Sequence, residues 1–219
     1  MSESTLNNRD ELERRVEETR IRNTAYKAYG ENEQFVFEDT AIFSVLDFWR
    51  YQYSNIGALG GELAEFFVAR ALGISKAENA DYWTAYDMSY RRKRIEVKST
   101  QYVHAWNRKK VSEQRSFSIE PTKNTYWAYK KGYEKKYERQ NDLYVFCLNK
   151  NRDIDKNDPL SLDDWVFYVV PTFRINEYAS ERQKTISLNV VKRLAGKEVK
   201  FDQLKDVVDQ VIDEIESNR

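Results

Sequence analysis

The chain has 219 residues, 41% of them apolar, which is enough for one large domain with its own core or for a domain with appendages. Thirty-six basic residues balance thirty-six acidic ones, which argues against a uniformly basic nucleic-acid binder. A single cysteine, Cys147, and a single histidine, His104, exclude an internal disulfide and leave little material for a histidine zinc site or a Ser-His-Asp triad.

In chain order, residues 1–39 read as a charged helical arm, because Asn8 to Ala28 is crowded with Glu and Arg while Leu12 and Val16 are too sparse for a buried seam. Thr40 to Trp49 reads as a strongly apolar helix capped by Asp39 or Thr40. A turn at Asn55 to Gly57 leads into a second helix carrying Gly60-Gly61-Glu62-Leu63-Ala64-Glu65 and closing near Gly73. At about 100° per residue, Ala58, Phe66 and Ala69 fall on the same side of that helix as Glu62. A carboxylate in an apolar stripe is costly unless it is paired or binds a metal.

Tyr86 to Lys98 is the most informative stretch. Alternation along Arg94-Ile95-Glu96-Val97-Lys98 predicts a strand with one face on a core, so that Glu96 and Lys98 share the other face. A hairpin with Arg91-Arg92 at its tip sets Asp87 directly across from Glu96. Like charges so opposed repel. A hard divalent ion such as Mg²⁺, or Mn²⁺ in its place, removes the penalty, since Mg²⁺ commonly uses one or two protein carboxylates and leaves its other positions to water and phosphate. An ammonium two residues from a ligand can position or deprotonate a metal-activated water.

Beyond this hairpin, Phe117 to Ile119 reads as a strand, Asp142 to Leu148 as a buried strand and Trp165 to Val170 as another, closed by Pro171. Thr185 to Leu188 reads as a short edge strand and Val190 to Leu194 as helical. Phe201 to Ile215 repeats its apolar residues at helical spacing, an amphipathic helix for docking on the domain's own core. Cys147 reads as a buried structural thiol, and His104 as a surface or groove residue about 20 Å along the strand from Glu96. With no secretion signal and no run near the roughly 20 apolar residues of a membrane helix, the expectation is a soluble cytoplasmic protein.

Charge is unevenly spread. From Arg91 to Lys136 there are fourteen basic residues against four glutamates, a local net of +10. Arg91, Arg92, Arg94, Arg108, Lys109, Lys110, Lys130 and Lys131 are the candidates for phosphate contacts. Tyr126, Trp127, Tyr129, Tyr133 and Tyr137, interleaved with lysines, offer stacking platforms for unpaired bases. Half-buried tyrosines on a solvated helix face explain the same run without a ligand.

The helix Glu, the Asp and the Glu-X-Lys, here Glu62, Asp87, Glu96 and Lys98, resemble the active site of the PD-(D/E)XK nuclease superfamily, the restriction-endonuclease-like fold. The resemblance spans roughly Gly57 to Leu148 and departs from the pattern where Tyr86 stands in place of the Pro. It implies a mixed α/β fold with a central sheet flanked by helices, occupying residues 40–196, with residues 197–219 as a helix packed on that domain. It also implies metal-dependent hydrolysis of DNA, with Asp87, Glu96 and Glu62 as metal ligands and Lys98 orienting the attacking hydroxide. RNA is the other substrate class, and a homodimer would supply two sites for two strands. The alternative is a non-catalytic nucleic-acid-binding or assembly protein that retains the fold.

Overall fold

A computed structural model describes residues 29–54, 59–74, 86–103, 111, 115–122 and 137–218. The chain divides into two compact units, one formed by Met1–Ser54 with Ala80–Tyr82 and one by Asn55–Asn79 with Trp83–Arg219.

In the first unit, β1 (Gln34–Phe37) pairs antiparallel with β2 (Thr40–Ser44) across a turn in which Glu38 and Asp39 both take positive φ, 46° and 61°. A helix, α1 (Val45–Gln52), follows directly. The helix expected from Thr40 therefore begins five residues later. Thr40, Ile42 and Phe43 are β-branched or aromatic, and the ladder pairs Phe43 with Phe35, Ala41 with Val36 and Thr40 with Phe37. Ser44 and Asp47 then form a reciprocal cap, the Ser44 hydroxyl accepting from the Asp47 N–H at 3.1 Å and the Asp47 carboxylate accepting from the Ser44 N–H at 2.9 Å. Because β1 lies inside the stretch read as a charged arm, the structure divides the chain at residue 54 rather than at 39.

The second unit is mixed α/β. Helix α2 (Gly60–Leu72) ends on Gly73, whose φ of 70° is the left-handed conformation that lets its N–H reach the carbonyls of Ala69 and Arg70. Strands β3 (Met88–Tyr90), β4 (Lys93–Gln101), β6 (Leu143–Asn149) and β7 (Trp165–Pro171) form a mixed sheet in the order β3-β4-β6-β7. The β4–β6 pair is parallel and the other two pairs are antiparallel. Every residue of β6 and β7 is buried, as expected of apolar strands covered on both faces.

One face of the sheet is covered by α2 and by α5 (Leu204–Ser217), which bring Leu63, Phe67, Val68, Val208 and Ile212 onto Val145, Cys147 and Phe167. The other is covered by α3 (Thr172–Tyr178), α4 (Leu188–Ala195) and a small ribbon of β5 (Ser116–Ser118) with β8 (Thr185–Ser187). The strands expected at 117–119, 142–148, 165–170 and 185–188 and the helices at 190–194 and 201–215 are all present, the edge strand ending at Ser187 because Leu188 opens the next helix. Helix α5 packs on the same core as the sheet rather than standing apart, and truncating a fully buried residue such as Ile212 to Ala would cost about 2–5 kcal/mol. Cys147 is fully buried in β6.

Two basic residues serve the fold. The Arg139 guanidinium donates to the carbonyls of Ile119, Ser180 and Gln183 and to the Asn176 side chain, joining three loops. Lys93 is buried and pairs with Glu216 of α5 at 3.1 Å. No helix among the described residues is long and apolar enough to cross a membrane.

Candidate active site

The site begins with a tight turn. Arg91 and Arg92 both adopt left-handed φ, 47° and 62°, the pair of positive values a two-residue hairpin turn requires. The register Met88↔Ile95, Ser89↔Arg94, Tyr90↔Lys93 follows from it, and one further step sets Asp87 beside Glu96. The ladder is irregular at that step. The Asp87 N–H donates to the Ile95 carbonyl at 3.0 Å, while the Asp87 carboxylate accepts the Val97 N–H at 2.6 Å. Asp87 is thereby fixed to the β4 backbone.

Along β4, Ile95 and Val97 point into the core under α2, and Arg94, Glu96 and Lys98 point away from it, as the alternation predicts. Lys98 pairs directly with the Glu96 carboxylate, the two side chains 30% and 17% exposed. Across the parallel pairing, Tyr144 of β6 stands beside Glu96 and Phe146 beside Lys98. The Tyr144 ring stacks on Phe146 with centroids 5.2 Å apart, making an aromatic wall next to the carboxylates. Tyr144 was not legible as a site residue, because it sits in an apolar run whose only signal is burial.

The electrostatics follow from this placement. Burial raises the proton affinity of Glu96 most, the neighbouring Asp87 and Glu65 charges add to it, and Lys98 opposes it, leaving the carboxyl at about 7. Burial also pushes Asp87 up, against the Val97 N–H and the Lys98 charge, which both favour its carboxylate. The Tyr144 hydroxyl is raised by burial and then by Glu96. The Cys147 thiol is driven far up by burial, with Asp87 and Glu65 adding to it, so it is no nucleophile.

No family model matches this chain, and no curated protein or solved structure matches it either.

Of the four expected site residues, Asp87, Glu96 and Lys98 come together and Glu62 does not. The stripe assigned through Ala58, Phe66 and Ala69 is displaced: α2 buries Leu63, Ala64, Phe67, Val68 and Leu72, leaving Glu62 and Phe66 exposed. At about 100° per residue, Glu65 lies at the edge of that buried arc and Glu62 about 60° farther out. Glu65 is accordingly the helix carboxylate whose charge reaches Glu96. The signal was available in the same Gly-Gly-Glu-Leu-Ala-Glu segment, one turn further on.

Asp87 and Glu96 supply hard oxygen ligands of the kind and number that Mg²⁺ takes from a protein. Both carboxyls are held above their ordinary proton affinity, chiefly by burial, and Lys98 pairs with Glu96; Asp87 and Glu96 are the residues that could hold a divalent cation. Among the described residues no set of three or more His, Cys, Asp or Glu is arranged to hold a metal ion.

The basic residues divide. Arg91 is engaged by Asp209 at 3.1 Å and Asp213 at 2.7 Å, both on α5. Arg94 makes a two-point bond with Asp142, Nε to Oδ2 and an Nη to Oδ1, both at 3.1 Å. Both are therefore spent on carboxylates of the same chain instead of standing ready for phosphate. Arg92 is exposed at the tip. Arg108, Lys109, Lys110, Lys130, Lys131, His104, the turn at 55–57, the arm at 8–28 and most of the aromatic run at 124–140 lie outside the described residues.

Proposed function

We propose that this chain is a Mg²⁺- or Mn²⁺-dependent phosphodiesterase that cuts DNA, built on the restriction-endonuclease-like plan of the PD-(D/E)XK nuclease superfamily. The observation that carries the reading is the meeting of Asp87, Glu96 and Lys98 at one edge of the sheet, with both carboxyls pushed toward protonation by burial and, at Glu96, by the neighbouring acids. A structural hairpin has no need of that expense, since burying two neighbouring carboxylates with a single lysine beside them weakens the fold.

In this reading Asp87 and Glu96 are the metal ligands, and Glu65, in place of Glu62, is the acidic residue on the neighbouring helix that supports a water or a second cation. A divalent ion bound there supplies positive charge to the phosphate and a water acidic enough to attack at neutral pH. The Val97 N–H keeps the Asp87 carboxylate pointed along β4. Lys98, which pairs with Glu96 in the metal-free chain, would orient the attacking oxygen or donate to a phosphate oxygen. Groups of this kind are worth about 10²–10³ in rate. The Tyr144–Phe146 wall limits solvent on the buried side.

The test is incubation of the purified chain with plasmid, linear duplex, single-stranded DNA and RNA, with Mg²⁺, with Mn²⁺ and with EDTA. The expected result is cleavage of DNA that EDTA stops. Binding without cleavage in every metal would instead establish the non-catalytic role, and neither binding nor cleavage would remove nucleic acid from the account.

A further inference from the structure

The hairpin that carries Asp87 is weakly held by the sheet itself. Strand β3 lies at the sheet's edge, pairs with β4 alone, and has only three residues, Met88–Tyr90, between Asp87 and the turn. That turn is strained. Arg91 and Arg92 both take left-handed φ, 47° and 62°, a region that favours glycine because a Cβ crowds the backbone there. Two-residue turns of this kind ordinarily carry Asn-Gly, Asp-Gly or Gly-Gly. With Arg-Arg in place, a longer and looser turn would relieve the strain and shift the register of β3 on β4. A shift of one residue would carry the Asp87 side chain to the opposite face, away from Glu96.

Helix α5 holds what the sheet does not. Lys205, Asp209, Asp213 and Glu216 are spaced four, four and three residues apart, which places them along one stripe of that helix, beside its buried Leu204, Val208 and Ile212. Each of the four meets the hairpin. The Lys205 ammonium lies 5.9 Å from the centroid of the Tyr90 ring, Asp209 and Asp213 take the two Nη atoms of Arg91 at 3.1 and 2.7 Å, and Glu216 pairs with Lys93 at 3.1 Å. Lys93 is only 5% exposed, so losing Glu216 would strip a buried ammonium of its ion-pair partner. We propose that α5 is a clasp that sets the register of the Asp87 hairpin, and that Arg91, held by Asp209 and Asp213, and Lys93, held by Glu216, are positioning residues for Asp87. The part played in a metal site rests on the nuclease reading, and the clasp itself does not. With the Arg91 guanidinium held, the left-handed turn persists without glycine, and the ladder beyond it places the Asp87 N–H on the Ile95 carbonyl at 3.0 Å and the Asp87 carboxylate on the Val97 N–H at 2.6 Å. Those two amides report the register.

The experiment is native-state hydrogen exchange, read amide by amide by NMR, on the metal-free full chain and on Arg91→Ala, Arg91→Gly and Glu216→Gln. Arg91→Ala keeps the strain of the turn and removes its holder, so exchange at Asp87 and Val97 should quicken by about 5–30-fold, the factor that corresponds to one left-handed residue with a Cβ. The Val145 and Cys147 amides of β6 should keep the wild-type rate. Glu216→Gln should quicken the same two hairpin amides. Arg91→Gly removes holder and strain together, and should restore most of the protection that Arg91→Ala loses. Unchanged rates at Asp87 and Val97 in Arg91→Ala and Glu216→Gln, an equal quickening in β6, or a glycine variant no better than the alanine one would overturn the clasp. In Mg²⁺ titrations followed by thermal melting, Arg91→Ala should need more metal than the wild type to reach half of its rise in Tm, and Arg91→Gly should return toward the wild type. Equal midpoints in all three would overturn the positioning role. A wild type that ignores Mg²⁺ would count against the nuclease reading, and the exchange rates alone would then decide the clasp.

Discussion

Replacing Glu96 with Gln isolates the cost of burying a second charged carboxyl beside Asp87 on β4. In the wild type the Glu96 carboxyl titrates at about 7 in the folded chain against an ordinary 4.5. Because the folded value is raised, the charged form opposes folding. The penalty is absent below pH 4.5, grows as pH rises from 4.5 to 7, and is constant above 7. At 1.36 kcal/mol per tenfold change in proton affinity, its full size is about 3 kcal/mol, after the compensation from Lys98 is already counted. Glu96→Gln, which mimics the protonated form, is therefore expected to leave stability nearly unchanged at pH 4.5 and to raise it by about 2–3 kcal/mol at pH 8. In a chain of this size that is a rise in Tm of roughly 4–12 °C. Thermal melts of both proteins at the two pH values, in EDTA, measure it. Equal destabilisation at both pH values would refute the reasoning, because it would mean that Glu96 serves as an ordinary partner of Lys98 and carries no penalty from burial or from Asp87.

Mg²⁺ should raise the Tm of the wild type by mass action and that of Asp87→Asn little or not at all, as read by melts in EDTA and in a large excess of metal. Glu65→Gln should lower the cleavage rate by at least about tenfold while Glu62→Gln leaves it near wild type, since only Glu65 reaches the charge field of Glu96. Arg91→Ala should leave DNA affinity and its salt dependence unchanged in filter-binding titrations, its guanidinium being held by Asp209 and Asp213. Replacing Arg108, Lys109 and Lys110 together by Ala should flatten the salt slope by up to about 2.7, at 0.9 per neutralised phosphate on duplex DNA.

The hairpin and the sheet were legible because their signals are local. The Asp87–Glu96 pairing follows from counting across the Arg91-Arg92 turn, and β6 and β7 from unbroken apolar runs. The helices α4 and α5 announce themselves by spacing, and Gly73 marks a helix end by its conformational freedom. Failures came where partners are distant or where a pattern fits two periods. Thr40 to Phe43 is apolar enough for a helix, and only its pairing with Phe35 and Val36, outside the window, makes it a strand. Glu62 and Glu65 both lie on α2, and which one faces the site depends on the rotation of that helix, set by Leu63, Phe67 and Val68 packing on the sheet. The loss of Arg91 and Arg94 from the phosphate-binding set is likewise tertiary, since Asp142, Asp209 and Asp213 are remote in sequence. The role of Arg139, which joins Ile119, Ser180 and Gln183, is also set by partners remote in sequence.

The central claim is that Asp87, Glu96 and Lys98 form one metal-dependent hydrolytic centre, and single-turnover cleavage of labelled DNA in Mg²⁺ by wild type and by Lys98→Ala addresses it most directly. The wild type should cut, and Lys98→Ala, with an unchanged melting transition, should cut at least about a hundredfold more slowly, the loss typical of removing one transition-state donor. Equal rates for the two folded proteins would contradict the account.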